Sequence, residues 1–158
     1  MFVLARAATY ATLFIGLLLV IVPARILAWS GIVRPTGLGL REVAGVVMGA
    51  AGAALALWCI VTFAVVGRGT PAPFDPPRTL VIKGPYHYVR NPMYIGAALA
   101  LCGAAIFYHS MPLLGYVSLF LLVMHAFVVW YEEPTLARLF GDDYLAYRAR
   151  VGRWLPRT

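Results

Sequence analysis

Charge is what this sequence has least of. Only 12% of its 158 residues are Asp, Glu, Lys or Arg, against about a quarter in ordinary globular chains. Acidic residues are the scarcer sign, six against thirteen basic ones. With 62% hydrophobic residues, a water-soluble domain would lack the polar surface to cover its core, so the bilayer is the solvent that fits. Cysteine is limited to Cys59 and Cys102, without a CxxC pair or Cys/His ligand spacing. That excludes a disulfide framework and a zinc site, and both thiols read as small buried apolar groups. Internal repeats and low-complexity tails are also missing.

Long uncharged runs take their place. One extends from Ala7 to Ala24 between Arg6 and Arg25, a second from Val43 to Gly67 between Glu42 and Arg68, and a third from Asn91 to Tyr131. A helix needs roughly 20 apolar residues to cross a hydrocarbon core about 30 Å thick. The third run therefore holds two spans, with a turn at Tyr108-His109-Ser110-Met111-Pro112. The predicted spans are 7–28, 43–67, 92–108 and 112–131. The first is too long for the core of a secretory signal and reads as a helix.

The net charge of +7 suits anionic lipid headgroups better than nucleic acid, because the basic residues border the spans. With four spans, one side holds Arg6, Arg68, Arg78, Lys83, Arg90, Arg138, Arg148, Arg150, Arg153 and Arg157. The other holds Arg25, Arg34 and Arg41. The positive-inside rule puts the richer side, with both termini, in the cytoplasm.

The expected fold class is an all-α membrane protein of about four transmembrane helices plus short amphipathic C-terminal helices on the cytoplasmic surface. The chain reads as a single membrane domain, 1–158. Residues 1–67 are a two-helix scaffold in which Gly45, Gly49 and Gly52 let helices approach closely within the monomer. Residues 68–158 supply a connector, a helical hairpin and the C-terminal helices. Pro71, Pro73, Pro76, Pro77 and Pro85 make the connector a rigid extended path, with a short strand-like piece at Thr79–Ile82. Beyond the fourth span, Pro134 suits a first helical turn. Leu136, Leu139 and Phe140 form an apolar stripe, Gly141 stops the helix, and Asp142 caps another with Tyr144, Tyr147 and Val151 on one face.

Two polar clusters sit at the edges of the last two spans. Gly84-Pro85-Tyr86-His87-Tyr88-Val89-Arg90-Asn91-Pro92-Met93-Tyr94-Ile95-Gly96 enters the third, and Glu132-Glu133-Pro134 leaves the fourth. In an antiparallel hairpin both meet at one membrane face and surround a pocket. Such a pocket suits a ligand carrying a carboxylate for Arg90, an ammonium for a glutamate and a further cation for tyrosine faces. Other charged ligands fit it equally. His125 lies on the face of Glu132 and reads as a hydrogen-bonded packing histidine, with a proton relay as the alternative. His109 reads as solvated in the turn, and His87 carries no assigned role.

Gly84-Pro85-Tyr86 followed by Arg90-Asn91-Pro92-x-Tyr94-x-Gly96 resembles the signature of the isoprenylcysteine carboxyl methyltransferase and phospholipid methyltransferase superfamily. So do Glu132-Glu133-x-x-Leu136-x-x-x-Phe140-Gly141-x-x-Tyr144-x-x-Tyr147 and the closing Arg153-Trp154-x-Pro156-Arg157. Ala72-Pro73-Phe74-Asp75-Pro76-Pro77 is similar to the connector of bacterial members. Many members carry Arg-His-Pro where this chain has Arg90-Asn91-Pro92, so no role specific to that histidine carries over. The resemblance implies S-adenosylmethionine as cofactor, held by Tyr86, Arg90, Asn91, Pro92, Tyr94, Gly96, Glu132, Glu133, Tyr144 and Tyr147. It implies Arg90, Glu132 and Glu133 as the catalytic set, without a metal, in a bacterial inner membrane. The expected acceptor is a lipophilic or lipid-like molecule, with carboxyl O-methylation of an isoprenylcysteine-like substrate as the first expectation. A phospholipid amine is the second, which would need Glu132 or Glu133 as general base. An NADPH-dependent membrane reductase and a non-catalytic scaffold are the alternatives. Neither an obligate protein partner nor nucleic acid is expected.

Overall fold

Backbone in hydrocarbon has no water to bond and must satisfy its own N–H and C=O groups, so each apolar run folds as a helix. The computed structural model of the protein describes residues 16–32, 35–67 and 78–157. A π-helical turn, Gly16–Ile21, leads into α1, Val22–Trp29. Next come α2, Leu40–Val66, a 3₁₀ turn, Gly84–His87, and α3, Pro92–Phe107. The chain then runs through α4, Met111–Phe127, a second π-helical turn, Val128–Glu132, and α5, Glu133–Arg150. Residues 7–15 of the first expected span, Arg34, and residues 68–77 of the connector lie outside the described residues.

Two helical stretches, Leu40–Phe63 and Met111–Arg150, are long and apolar enough to cross a membrane; Gly16–Trp29 and Pro92–Phe107 are shorter apolar helices. Only 17% of the apolar window of α2 is buried inside the protein, which leaves Val46, Val47, Trp58, Val61 and Val65 exposed. The core helix of a soluble protein would hide these side chains. The fold is therefore an all-α membrane fold, as the composition implies.

Helix α2 begins at Leu40 rather than 43, because Gly39 ends the preceding chain in extended backbone and Glu42 is drawn into the first turn. The Gly39 N–H donates to Glu42 Oε2 at 2.8 Å, satisfying a donor the helix start leaves open. The other carboxylate oxygen, Oε1, lies 2.6 Å from His109 Nε2. His109 stays 46% exposed, as expected, and has Glu42 as a partner besides. At φ 52° it makes the left-handed turn between α3 and α4, and its ring closes on the start of α2. Ser110 then caps α4, accepting the Leu113 N–H at 3.2 Å.

Glycine sets the distance between α2 and α3. A Cβ on Gly45 would stand 2.8 Å from Gly103 O, and one on Gly96 would stand 2.8 Å from Gly52 O. The two backbones are thus in contact, antiparallel, and the small-residue pattern of α2 works within the monomer. Helices α3 and α4 pack through Tyr94, Ala97, Ala98 and Leu101 against Val117, Phe120, Met124 and Val128. Tyr116 ties in the first segment by donating to Leu18 O at 2.9 Å. Cys59 is fully buried and Cys102 partly so, both free. No strand occurs among the described residues, only an isolated parallel bridge between Val89 and Gly152. The strand-like piece expected at Thr79–Ile82 runs instead as irregular chain, with Thr79 Oγ1 donating to Val66 O at 2.7 Å. Gly141, at φ 51° and ψ −127°, breaks α5 in two. Behind it Tyr144 and Tyr147 are buried, while Leu139 of the expected apolar stripe is 54% exposed.

Candidate active site

The short turn at 108–110 makes α3 and α4 antiparallel, so the start of α3 and the end of α4 share one end of the hairpin. Pro92 opens α3, where a missing N–H costs nothing, and Arg90 and Asn91 stand just before it. On the other side the π-helical turn Val128–Glu132 carries the chain into Glu133. Such turns change the phase of a helix and recur at functional sites. Here the two adjacent glutamates go to different partners.

Glu133 is the hub. It is 6% exposed and receives two hydrogen bonds from one guanidinium and an ion pair from a second. Arg153 Nε donates to Oε1 at 2.6 Å and NH2 to Oε2 at 3.0 Å, a paired geometry that suits guanidinium and carboxylate. Arg90 NH1 approaches Oε1 at 3.0 Å. That carboxylate, hydrogen-bonded to Arg153, holds its guanidinium above the ordinary arginine value. Arg90 NH1 also donates to Tyr144 Oη at 3.2 Å, and its backbone N–H donates to Gly152 O at 2.9 Å. The Arg90 Nε is buried and has no hydrogen-bond partner among the described residues.

Glu132 turns the other way, and its Oε2 accepts the Tyr94 hydroxyl at 3.1 Å. Asn91 Nδ2 donates to Arg153 O at 3.2 Å, which ties the C-terminal tail across the start of α3. Tyr147 Oη donates to Tyr86 O at 2.6 Å. The Tyr86 ring leaves the charged cluster and packs with Cys59 of α2; burial pushes its phenol well above the ordinary tyrosine value. Arg157 caps α5 by donating to Ala149 O at 2.6 Å.

Of the residues singled out in the sequence, Arg90, Asn91, Pro92, Tyr94, Glu132, Glu133, Tyr144 and Tyr147 thus meet at one end of the hairpin. Tyr86 is joined to them by its carbonyl. Gly96 faces Gly52 and Ala56 of α2, where it sets helix separation. Arg153, Gly152 and Trp154 belong to the cluster as well, and the sequence alone assigns them no role there. Their signal lies in the closing Arg153-Trp154-x-Pro156-Arg157 pattern. His125 accepts the Trp154 indole N–H on Nδ1 at 3.0 Å, so it is hydrogen-bonded as expected, but it is exposed rather than packed in the core. Among the described residues no group of three or more His, Cys, Asp or Glu could hold a metal ion.

A buried Arg–Glu–Arg cluster facing a second carboxylate and several phenols can bind a charged, zwitterionic ligand at a membrane surface. A sequence model described as phospholipid methyltransferase matches residues 40–143, which takes in α2, the hairpin and both glutamates. Neither a characterised protein nor a solved structure gives a significant match. On the extent of that match, the chain belongs to the phospholipid methyltransferase family, within the isoprenylcysteine and phospholipid methyltransferase superfamily of membrane enzymes.

Proposed function

We propose that this chain is an S-adenosylmethionine-dependent methyltransferase whose lipophilic acceptor reaches the site from the bilayer. The observation that carries this reading is Arg90. Its guanidinium is anchored by Glu133 and Tyr144, yet its buried Nε–H has no acceptor among the described residues. An unsatisfied buried donor costs about 1–3 kcal/mol, a cost that a bound anionic group removes. The donor set fits the cofactor: Arg90 for its carboxylate, Glu132 for its ammonium, and the phenols of Tyr94, Tyr144 and Tyr147 for its sulfonium. When bound, the cofactor supplies an activated methyl group to an acceptor aligned with it.

The protein's own residues bind, align and exclude water. Both oxygens of Glu133 are taken by guanidiniums, so Glu133 acts as a positioning residue. Glu132 is the carboxylate left to meet a ligand. If it meets the cofactor ammonium, no base remains and the acceptor is a carboxylate of the isoprenylcysteine type. If it takes the proton of an acceptor amine, the substrate is an amino phospholipid. The unit at work is the whole membrane domain, 1–158, with residues 1–67 as scaffold, in a bacterial inner membrane with the site and both termini cytoplasmic.

Calorimetric titration of detergent-purified protein with S-adenosylhomocysteine, with NADPH in parallel, tests the class. Saturable binding of the first alone supports it. Binding of NADPH alone would move the chain to the reductases, and binding of neither would leave a scaffold. Arg90→Ala should abolish the binding. Glu132→Gln then separates the acceptors: lost affinity assigns Glu132 to the cofactor, whereas retained affinity with lost turnover assigns it to the acceptor amine.

A further inference from the structure

His125 is a polar side chain on the exposed, otherwise apolar face of α4, close to Leu121 and Leu122. A polar group at such a place is costly in hydrocarbon and marks function more often than packing. Its ring orientation is fixed from outside the helix. The Trp154 indole, which can only donate, gives its N–H to His125 Nδ1 at 3.0 Å, and the two rings lie 6.1 Å apart. Nδ1 is therefore an acceptor, and Nε2 carries the ring proton. No second partner for the ring occurs among the described residues. Trp154 in turn lies 6.5 Å from Tyr94, whose hydroxyl is on Glu132. A chain of contacts thus runs from Glu132 through Tyr94 and the Trp154 ring to the exposed His125. Seven residues of helix separate the ends, about 10 Å along the axis at ~1.5 Å per residue.

We infer that His125 Nε2–H is a substrate-recognition contact that donates to an oxygen of the lipid acceptor about 10 Å below its reacting group. This rests on the methyltransferase reading of the Glu132 site. The partner is an ester oxygen of a glycerophospholipid, because the headgroup phosphodiester lies too close to its amine to reach that depth and a prenylated cysteine offers only hydrocarbon there. Trp154 is a positioning residue, since its N–H selects the tautomer that donates toward the bilayer.

The test is retention of dioleoyl phosphatidylethanolamine by the intact detergent-purified protein, read by native mass spectrometry. His125→Ala should retain about five-fold less than wild type, the effect of one neutral hydrogen bond. His125→Gln, which restores an N–H donor, should recover most of it. Trp154→Phe keeps the ring and should lose two- to three-fold, about half the His125→Ala effect. Farnesylcysteine should be retained equally by wild type and His125→Ala. A dialkyl-ether analogue, which lacks the ester carbonyls, should be retained less than the diacyl lipid by wild type, and equal retention of the two overturns the assignment. Equal retention of the diacyl lipid by wild type and His125→Ala, or none by wild type, overturns the inference. S-adenosylhomocysteine affinity, measured on the same samples, should be unchanged in both His125 variants. Its absence in wild type would strike the methyltransferase reading alone, because lipid retention is measured independently of it.

Discussion

Substituting Glu133 by glutamine keeps the volume of the side chain and removes the charge that holds two guanidiniums together. In the native cluster one carboxylate receives Arg153 at 2.6 and 3.0 Å and Arg90 at 3.0 Å. The Arg90 and Glu133 side chains are 9% and 8% exposed, so solvent screens neither. Removing one partner of a buried pair costs about 3–5 kcal/mol, because the remaining charge stays buried. The glutamine carbonyl still accepts one hydrogen bond from a charged donor, worth roughly 1.5–3 kcal/mol. The expected loss for Glu133→Gln is therefore about 2 kcal/mol. Arg153→Ala leaves the Arg90–Glu133 pair intact and removes a side chain that is 28% exposed, so the expected loss is about 1 kcal/mol. Unfolding in mixed micelles titrated with dodecyl sulfate, followed by circular dichroism, measures both. A Glu133→Gln protein within about 0.5 kcal/mol of wild type, or an Arg153→Ala protein less stable than Glu133→Gln, would refute the hub assignment.

Gly52→Ala should destabilise by about 1–3 kcal/mol through overpacking, since its Cβ would stand 2.6 Å from Gly96 O. Gly115→Ala in α4 meets nothing within 4 Å and should stabilise by about 0.5–1 kcal/mol, read in the same unfolding assay. His109→Ala removes an ion pair whose histidine is 46% exposed. It should cost no more than about 1 kcal/mol and leave S-adenosylhomocysteine affinity at the wild-type value, because the pair lies at the opposite end of the hairpin.

Periodicity and polarity along the chain make much of this fold legible. Uncharged runs mark the helices, and the turn at 108–110 makes the hairpin that joins Arg90 to the glutamates. Gly45, Gly49 and Gly52 foretell close packing, and Gly141 foretells the break in α5. The features that stay hidden depend on helical phase and on distance in sequence. Glu132 and Glu133 are indistinguishable as neighbours, and it is the helical phase set through the π-helical turn Val128–Glu132 that sends one to Tyr94 and the other to Arg90. Arg153 reaches Glu133 through a tail whose path is set by the Val89–Gly152 bridge. The Tyr86 ring turns to Cys59, a partner on another helix that no local pattern announces. Glu42 and His109 lie 67 residues apart, so their pairing emerges only once α2 packs on α3.

The most direct test of methyl transfer itself is incubation of the purified protein with methyl-labelled S-adenosylmethionine and a total bacterial lipid extract. Label should enter the organic phase in a time- and enzyme-dependent way, and Arg90→Ala should reduce that rate to background. Incorporation by Arg90→Ala at the wild-type rate would contradict the site. No incorporation by wild type, despite saturable S-adenosylhomocysteine binding, would contradict the claim that the acceptor is a lipid.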